Sequence, residues 1–320
     1  MLETMSDARS ATLLFPGQGT EAVGMSAGWE AHEAWQAAVQ AAERHTGCPL
    51  RRLMGEGPLD DLRFQRHAPC AVLAHSVGIF RAWRAAGMAL PVAATGHSMG
   101  FYSALVAAEV VPLEAALDLI AAVEDLSEAA FGEGTMGMAF LIGVPESELR
   151  RALAEHPQLV LSNRNGQAQF TASGPVPALE ALVAALRPSA LKAGLLPVKH
   201  PLHGPHMAAL LPAITRRLLA VKPAEPAFPL ISHFDGRLLA TGGAAWDEGI
   251  ASVALPVDWP AVVGRLKTLA APLAECGHGR QLAGLTRWAD RDLTVASLQT
   301  PPAAGEAPGN RNPGAIVKNR

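Results

Sequence analysis

Cysteine is scarce in this chain. Three occur in 320 residues, Cys48, Cys70 and Cys276, odd in number and widely spaced. That pattern excludes a disulfide framework and a CxxC metal site, and it fits a reducing cytoplasm. Charged residues are also few, 17% of the chain with a formal net charge of −3. A nucleic-acid surface carries a basic footprint, so nucleic acid is excluded as a partner. Bilayer-length apolar segments are lacking too. The longest stretch free of Asp, Glu, Lys and Arg runs from Ala85 to Ala108, but Gly87, Pro91, Gly96 and Gly100 break it into strand, turn and helix. No membrane span is expected. Glu3 and Asp7 precede the first apolar strand where an export signal would be basic, so a cytoplasmic protein is expected.

Hydrophobic residues make up 49% of the chain, enough for a sizeable core. Thr12–Phe15 reads as a short strand broken by Pro16-Gly17-Gln18-Gly19-Thr20. Helical spacing follows over Ala31–Arg44 and Ala71–Ala86, then a buried strand at Val92–Thr95 and helices over Tyr102–Val110 and Leu113–Ala130. This alternation indicates an α/β layer architecture. From Gly134 the pattern becomes strand Met136–Gly143, helix Glu146–His156, strands Leu159–Ser162 and Gln167–Ser173 around the turn Asn163–Gly166, helix Val176–Leu186 and strand Leu195–Lys199. That order, βαββαβ, predicts a ferredoxin-like subdomain inserted into a larger one. The expected division is a large α/β part over 10–133 and 202–298, the small subdomain over 134–201, and a disordered tail over 299–320. In the second large part a helix is expected over Met207–Val221, a strand near Leu230–Phe234 and a helix over Pro260–Ala271.

Gly96-His97-Ser98-Met99-Gly100 fits the nucleophile-elbow pattern G-x-S-x-G between a predicted strand and a predicted helix. A serine at so sharp a turn projects its hydroxyl above the sheet, and the flanking glycines avoid clashes with the neighbouring strand and helix. The alternative is a glycine-rich turn with an inert serine. A serine hydroxyl needs a base, and histidines are densest at His200-Pro201-Leu202-His203-Gly204-Pro205-His206. The spacing invites a zinc reading. Pro201, Gly204 and Pro205 forbid the helix that would align the three rings, and no cysteine or acidic cluster lies nearby, so no metal is expected. His200 and His206 read as loop histidines.

Taken together these segments resemble the malonyl-CoA:acyl-carrier-protein transacylase family, which includes acyltransferases of fatty-acid and polyketide synthesis. The matching segments are Phe15–Thr20, Gly96–Gly100 with Tyr102–Leu105, Gly134-Thr135, Asn163 with Asn165, Pro201-Leu202-His203 followed by Met207, Pro256–Trp259 and Gly277-His278-Gly279. They run in order from about Thr12 to Trp288. The resemblance implies an α/β-hydrolase-like large domain, Ser98 as nucleophile and His203 as general base and acid. It implies that a backbone carbonyl, that of Ser252 or a neighbour, orients the histidine, and that the Gln18 and Met99 N–H groups form the oxyanion hole. His97 would help shape the acyl pocket, with Asn165 nearby. It further implies a ping-pong reaction on CoA or phosphopantetheine thioesters with no bound cofactor, and an acyl carrier protein as partner.

The sequence departs from the family at its substrate positions. Malonyl-transferring members carry an arginine, in the helix after the elbow, that binds the free carboxylate of malonate. Here Val123 takes that place, and no Arg or Lys occurs between Val110 and Val144. Ala68 and Ser252 stand where the family has glutamines, and Phe101 where glutamate is common. Leaving a buried carboxylate without its charged partner costs on the order of 2–5 kcal/mol, roughly 30- to 4,000-fold in affinity. These changes all make the pocket less polar, so an uncharged acyl group, without a carboxylate and larger than malonyl, is expected. Arg164 or Lys199 could instead substitute for the arginine. A hydrolase that passes the acyl group to water, and a non-catalytic carrier-protein-binding protein, are the further alternatives. Carrier proteins are acidic, and Arg280, Arg287 and Arg291 near the C-terminal helix are candidates for docking them.

Overall fold

The structure is a computed structural model that describes residues 10–64 and 66–302. β1 (Thr12–Phe15) is fully buried, with Leu13 and Phe15 in one apolar layer and Leu14 in another. A strand covered on both faces reads as an unbroken apolar run, which is why β1 shows no polar alternation. The chain continues through α1 (Glu33–Thr46), α2 (Leu50–Glu56), α3 (Leu59–Leu62) and α4 (His67–Ala85) to β2 (Ala93–Gly96). β2 lies parallel to β1 and ends with Gly96 opposite Phe15. α5 (Gly100–Ala107) starts directly beyond it, followed by α6 (Leu113–Phe131).

Next come β3 (Met136–Ile142), α7 (Glu146–Ala154), β4 (Val160–Arg164), β5 (Gln169–Pro175), α8 (Val176–Leu186) and β6 (Lys192–Leu195). The strands are antiparallel in the order β6-β3-β5-β4, the ferredoxin-like arrangement, over a separate small core that includes Leu141, Phe170, Leu179 and Leu182. A 3₁₀ turn over Pro205–Leu210 leads into α9 (Leu211–Arg217), then α10 (Gly242–Ala251), β7 (Val257–Asp258), α11 (Trp259–Leu269), β8 (Leu273–Glu275), α12 (Gln281–Ala289) and β9 (Val295–Ser297). β8 and β9 complete a parallel sheet of order β2-β1-β8-β9, with one layer containing Phe15 and Leu73 on one face and one containing Trp259 and Leu285 on the other. β7 leaves that body and pairs parallel with β4, Asn163 opposite Val257, which ties the two sheets together.

The fold class expected from the sequence holds, and several boundaries move for physical reasons. The last small-sheet strand sits at Lys192–Leu195 rather than Leu195–Lys199. Pairing extends through the Leu196 N–H to the Met138 carbonyl and stops at Pro197, which has no N–H to give. The helix expected over Met207–Val221 divides at Pro212, whose ring cannot continue the hydrogen-bond ladder of the preceding turn. Asn163 and Arg164 belong to β4 rather than to the turn after it. Leu230–Phe234 contributes single bridges at Leu230 and Ile231 before the chain reverses, with Ser232 N–H bonding the Arg237 carbonyl. Of the expected disordered tail, 303–320 lie outside the described residues. Gln299 is held: its carbonyl accepts from Trp29 Nε1 and its side chain from the Gly279 N–H. Among the described residues no helix is long and apolar enough to cross a membrane.

Candidate active site

The site forms where β1 and β2 end side by side, outside the carboxyl edge of a parallel sheet. Ser98 sits on the turn between β2 and α5 at φ 56°, in the left-handed region. Such strain persists in a non-glycine residue only where the surroundings fix it. Here they do: a Cβ on Gly96 would strike the Gly100 backbone, and one on Gly100 would strike the Phe15 carbonyl oxygen. The elbow therefore packs directly on β1, and its two glycines are required by space. The Ser98 hydroxyl lies 2.6 Å from His203 Nε2.

His203 also has a left-handed backbone, at φ 61°, and is held by its N–H bonding the Val253 carbonyl. Its Nδ1 donates to the Leu255 carbonyl at 3.1 Å, which leaves Nε2 free to accept from the serine. The orienting carbonyl is thus a neighbour of Ser252, three residues further on. Burial of the ring pushes the His203 pKa down to about 4, nearby His97 adds to this, and the Leu255 and Ser252 carbonyls oppose it. At neutral pH the imidazole is uncharged and able to take a proton. Gln18 and Met99 both border the serine, and neither backbone N–H has a hydrogen-bond acceptor among the described residues. Met99 caps α5, so the positive end of that helix dipole lies at the same spot.

A narrow cavity, open to solvent, adjoins Ser98. Val123 and Ser252 line it as the sequence leads one to expect, and Ile120 and Glu124 from α6 and Tyr102 from α5 line it as well. The Tyr102 hydroxyl pairs with Ser252 Oγ at 3.2 Å, and burial raises its pKa to about 12. Three other expected pocket residues stand behind the wall. Phe101 is fully buried, edge-on to His233 at 4.7 Å between centroids. His97 is buried against Trp259, and its Nε2 donates to Asn165 Oδ1 at 2.7 Å, so the pair clamps the elbow to the β4–β5 turn.

The two basic residues that could replace the missing arginine point elsewhere. Arg164 pairs with Glu146 and Asp258, and Lys199 pairs with Glu133 above the Phe64 ring. Neither lines the cavity. The three clustered histidines diverge as well. His203 faces Ser98, His206 bonds the Gln158 carbonyl, and His200 is buried with Nε2 donating to Glu124 Oε2 at 3.1 Å. His200 therefore stands behind the wall, against Glu124, and is not a free loop histidine. Glu124 carries a signal that sequence reading missed: Ile120, Val123 and Glu124 follow i, i+3, i+4 spacing and share one helix face.

This arrangement is a nucleophile, an uncharged base and two free N–H donors around a cavity, the requirements for acyl transfer through an ester intermediate. Comparison with known proteins agrees. Residues 12–242 match the acyl transferase domain family. The chain is 30% identical over 300 residues to the malonyl CoA-acyl carrier protein transacylase of Escherichia coli K12, covering 92% of this chain and 97% of that one. It superposes on the acyl-carrier-protein S-malonyltransferase of Burkholderia pseudomallei 1710b with a TM-score of 0.84 at 28% identity, over 91% of this chain and 97% of the other. A malonyl-transacylase in complex with its type II PKS acyl-carrier protein gives a TM-score of 0.84 at 29% identity, over 90% and 95%. Sharing a fold and most of its length with these enzymes, the chain belongs to the acyl transferase domain family.

Proposed function

We propose that this acyltransferase moves a non-carboxylated acyl group from a CoA or carrier-protein thioester to an acyl carrier protein, through an ester on Ser98. Ser98 Oγ attacks the thioester carbonyl while its proton passes to His203 Nε2. The charge on the carbonyl oxygen is met by the Gln18 and Met99 N–H groups. The C–S bond breaks, and the departing sulfur takes the proton from His203. The phosphopantetheine thiol of the carrier then repeats the sequence in reverse and releases the acyl group as a new thioester.

One observation carries the substrate reading: among the described residues, no Arg or Lys lines the cavity beside Ser98. Val123 stands at the arginine position, and Arg164 and Lys199 are held by carboxylates outside the cavity. A malonyl carboxylate entering it would lose water without gaining a charged partner. The test is intact-mass spectrometry after brief exposure to malonyl, acetyl and medium-chain acyl thioesters, with Ser98→Ala as control. Neutral acyl adducts are expected to form on the native protein alone, and to move to added carrier protein. A malonyl adduct at least as strong as the neutral ones overturns the substrate reading. Decay to free acid at one rate, with or without carrier, makes the enzyme a hydrolase.

A further inference from the structure

Resting on the non-carboxylated reading, a second feature of the same cavity narrows the substrate. Glu124 lines it, with its side chain 24% exposed. One of its oxygens, Oε2, accepts from His200 Nε2, and Oε1 has no partner among the described residues. His200 holds the carboxylate through that one bond: Nε2 donates to it, and Nδ1 is buried without a hydrogen-bond partner. Cations packed near α6 are engaged by other carboxylates: Arg66 and Arg217 meet Asp125, and Lys199 meets Glu133. The cavity wall thus carries a carboxylate with a free acceptor oxygen, one residue beyond Val123 at the family's arginine position.

We infer that Glu124 is a specificity-determining residue, and that the cavity takes aminoacyl groups, whose ammonium donates to Glu124 Oε1, in preference to uncharged acyl groups of the same shape. A charge-assisted bond of this kind is stronger than a neutral one, and partial exposure moderates it. Malonate meets repulsion at the same point as well as a missing partner. The wall of Ile120, Val123 and Leu202 would pack the methylene carbons of the acyl chain.

The test uses the full chain with glycyl and 3-aminopropionyl thioesters of N-acetylcysteamine. Each is set against the isostere in which a methyl replaces the ammonium, propionyl and butyryl, with malonyl alongside. Acylation is followed by the mass of the Ser98 adduct and by thiol released, so that a short-lived ester still registers. At least one aminoacyl compound is expected to outpace its isostere by about tenfold or more, and Glu124→Gln is expected to bring that ratio to within about threefold of unity. If the isosteres react as fast on the native protein, or the preference survives Glu124→Gln, the inference falls and the non-carboxylated reading stands. Malonyl outrunning all four defeats both. Neither adduct nor thiol from any compound also defeats both. The ratio on the native protein decides even if the variant does not fold.

Discussion

His203 works because it is uncharged, and its burial sets the range over which that holds. An ordinary histidine has lost half its base form at pH 6.5, whereas here the change is displaced to about 4. The acylation rate of Ser98 should therefore stay level from about pH 7.5 to pH 5 and fall by half near pH 4. A rapid pH jump from neutral buffer, with adduct formation followed by quenched-flow mass measurement, reads this before acid unfolding intervenes. An inflection between pH 6 and 7 would show the ring more exposed to water than the structure has it. Ser98 and His203 were both legible in the sequence, because an elbow needs its glycines in fixed places and a base needs to be a histidine. The Leu255 carbonyl was legible only to within a few residues, since a backbone acceptor has no side-chain signature. The Glu124–His200 pair was missed because its two members lie on different elements.

Long elements could be read and short ones could not, which follows from how periodicity arises. α6, α8 and α11 were legible to within a residue or two, since each runs several turns with one apolar face. β7, β8 and β9 hold two or three residues each, too few to show a period of two, yet β8 and β9 build half of the parallel sheet. α12 carries or adjoins the arginines expected from the sequence to dock a carrier protein. A Cβ on Gly19 would lie 3.8 Å from Gln281, and one on Gly166 3.5 Å from Trp288, so the helix spans from the oxyanion loop to the β4–β5 turn. Arg280, Arg287 and Arg291 are exposed along and beside it, each outside any ion pair among the described residues, and Trp288 is 47% exposed. This is the basic, partly apolar rim that an acidic carrier would approach. Arg287→Glu is expected to raise the KM for carrier protein by about tenfold and to leave Ser98 acylation by a small thioester unaltered. Equal KM values at low ionic strength would place the carrier elsewhere.

At the scale of the whole molecule, buried histidines couple folding to pH. His75 is fully buried, accepts from Trp35 Nε1 at 3.0 Å, and has its pKa pushed down to about 3, first by burial and then by His278. His203 is lowered to about 4, and His97 and His233 are lowered by burial in the same region. Each of these rings binds a proton near pH 6.5 once unfolded but resists it when folded. Their contribution is therefore complete above pH 6.5 and is lost as pH falls toward 4 and then 3. Glu275 acts in the opposite sense. Burial raises its pKa to about 7 despite bonds from the Leu282 and Ala283 N–H groups, so the stability linked to it is present below 4.5 and lost as pH rises through 7. With His278 also lowered and Glu248 also raised by burial, five histidines stand against two glutamates and give a net slope, with stability climbing from pH 4.5 to 6.5 and levelling near neutrality. One proton of difference corresponds to about 1.4 kcal/mol per pH unit. Urea unfolding of the native protein and of His75→Gln across pH 4.5–6 isolates one ring, since the glutamine oxygen can still accept from Trp35. The variant should be less stable at pH 7, and its acid slope should be shallower by about that one-proton value. Parallel slopes for the two proteins would mean that His75 is protonated in the folded state and that the acid sensitivity arises from other groups.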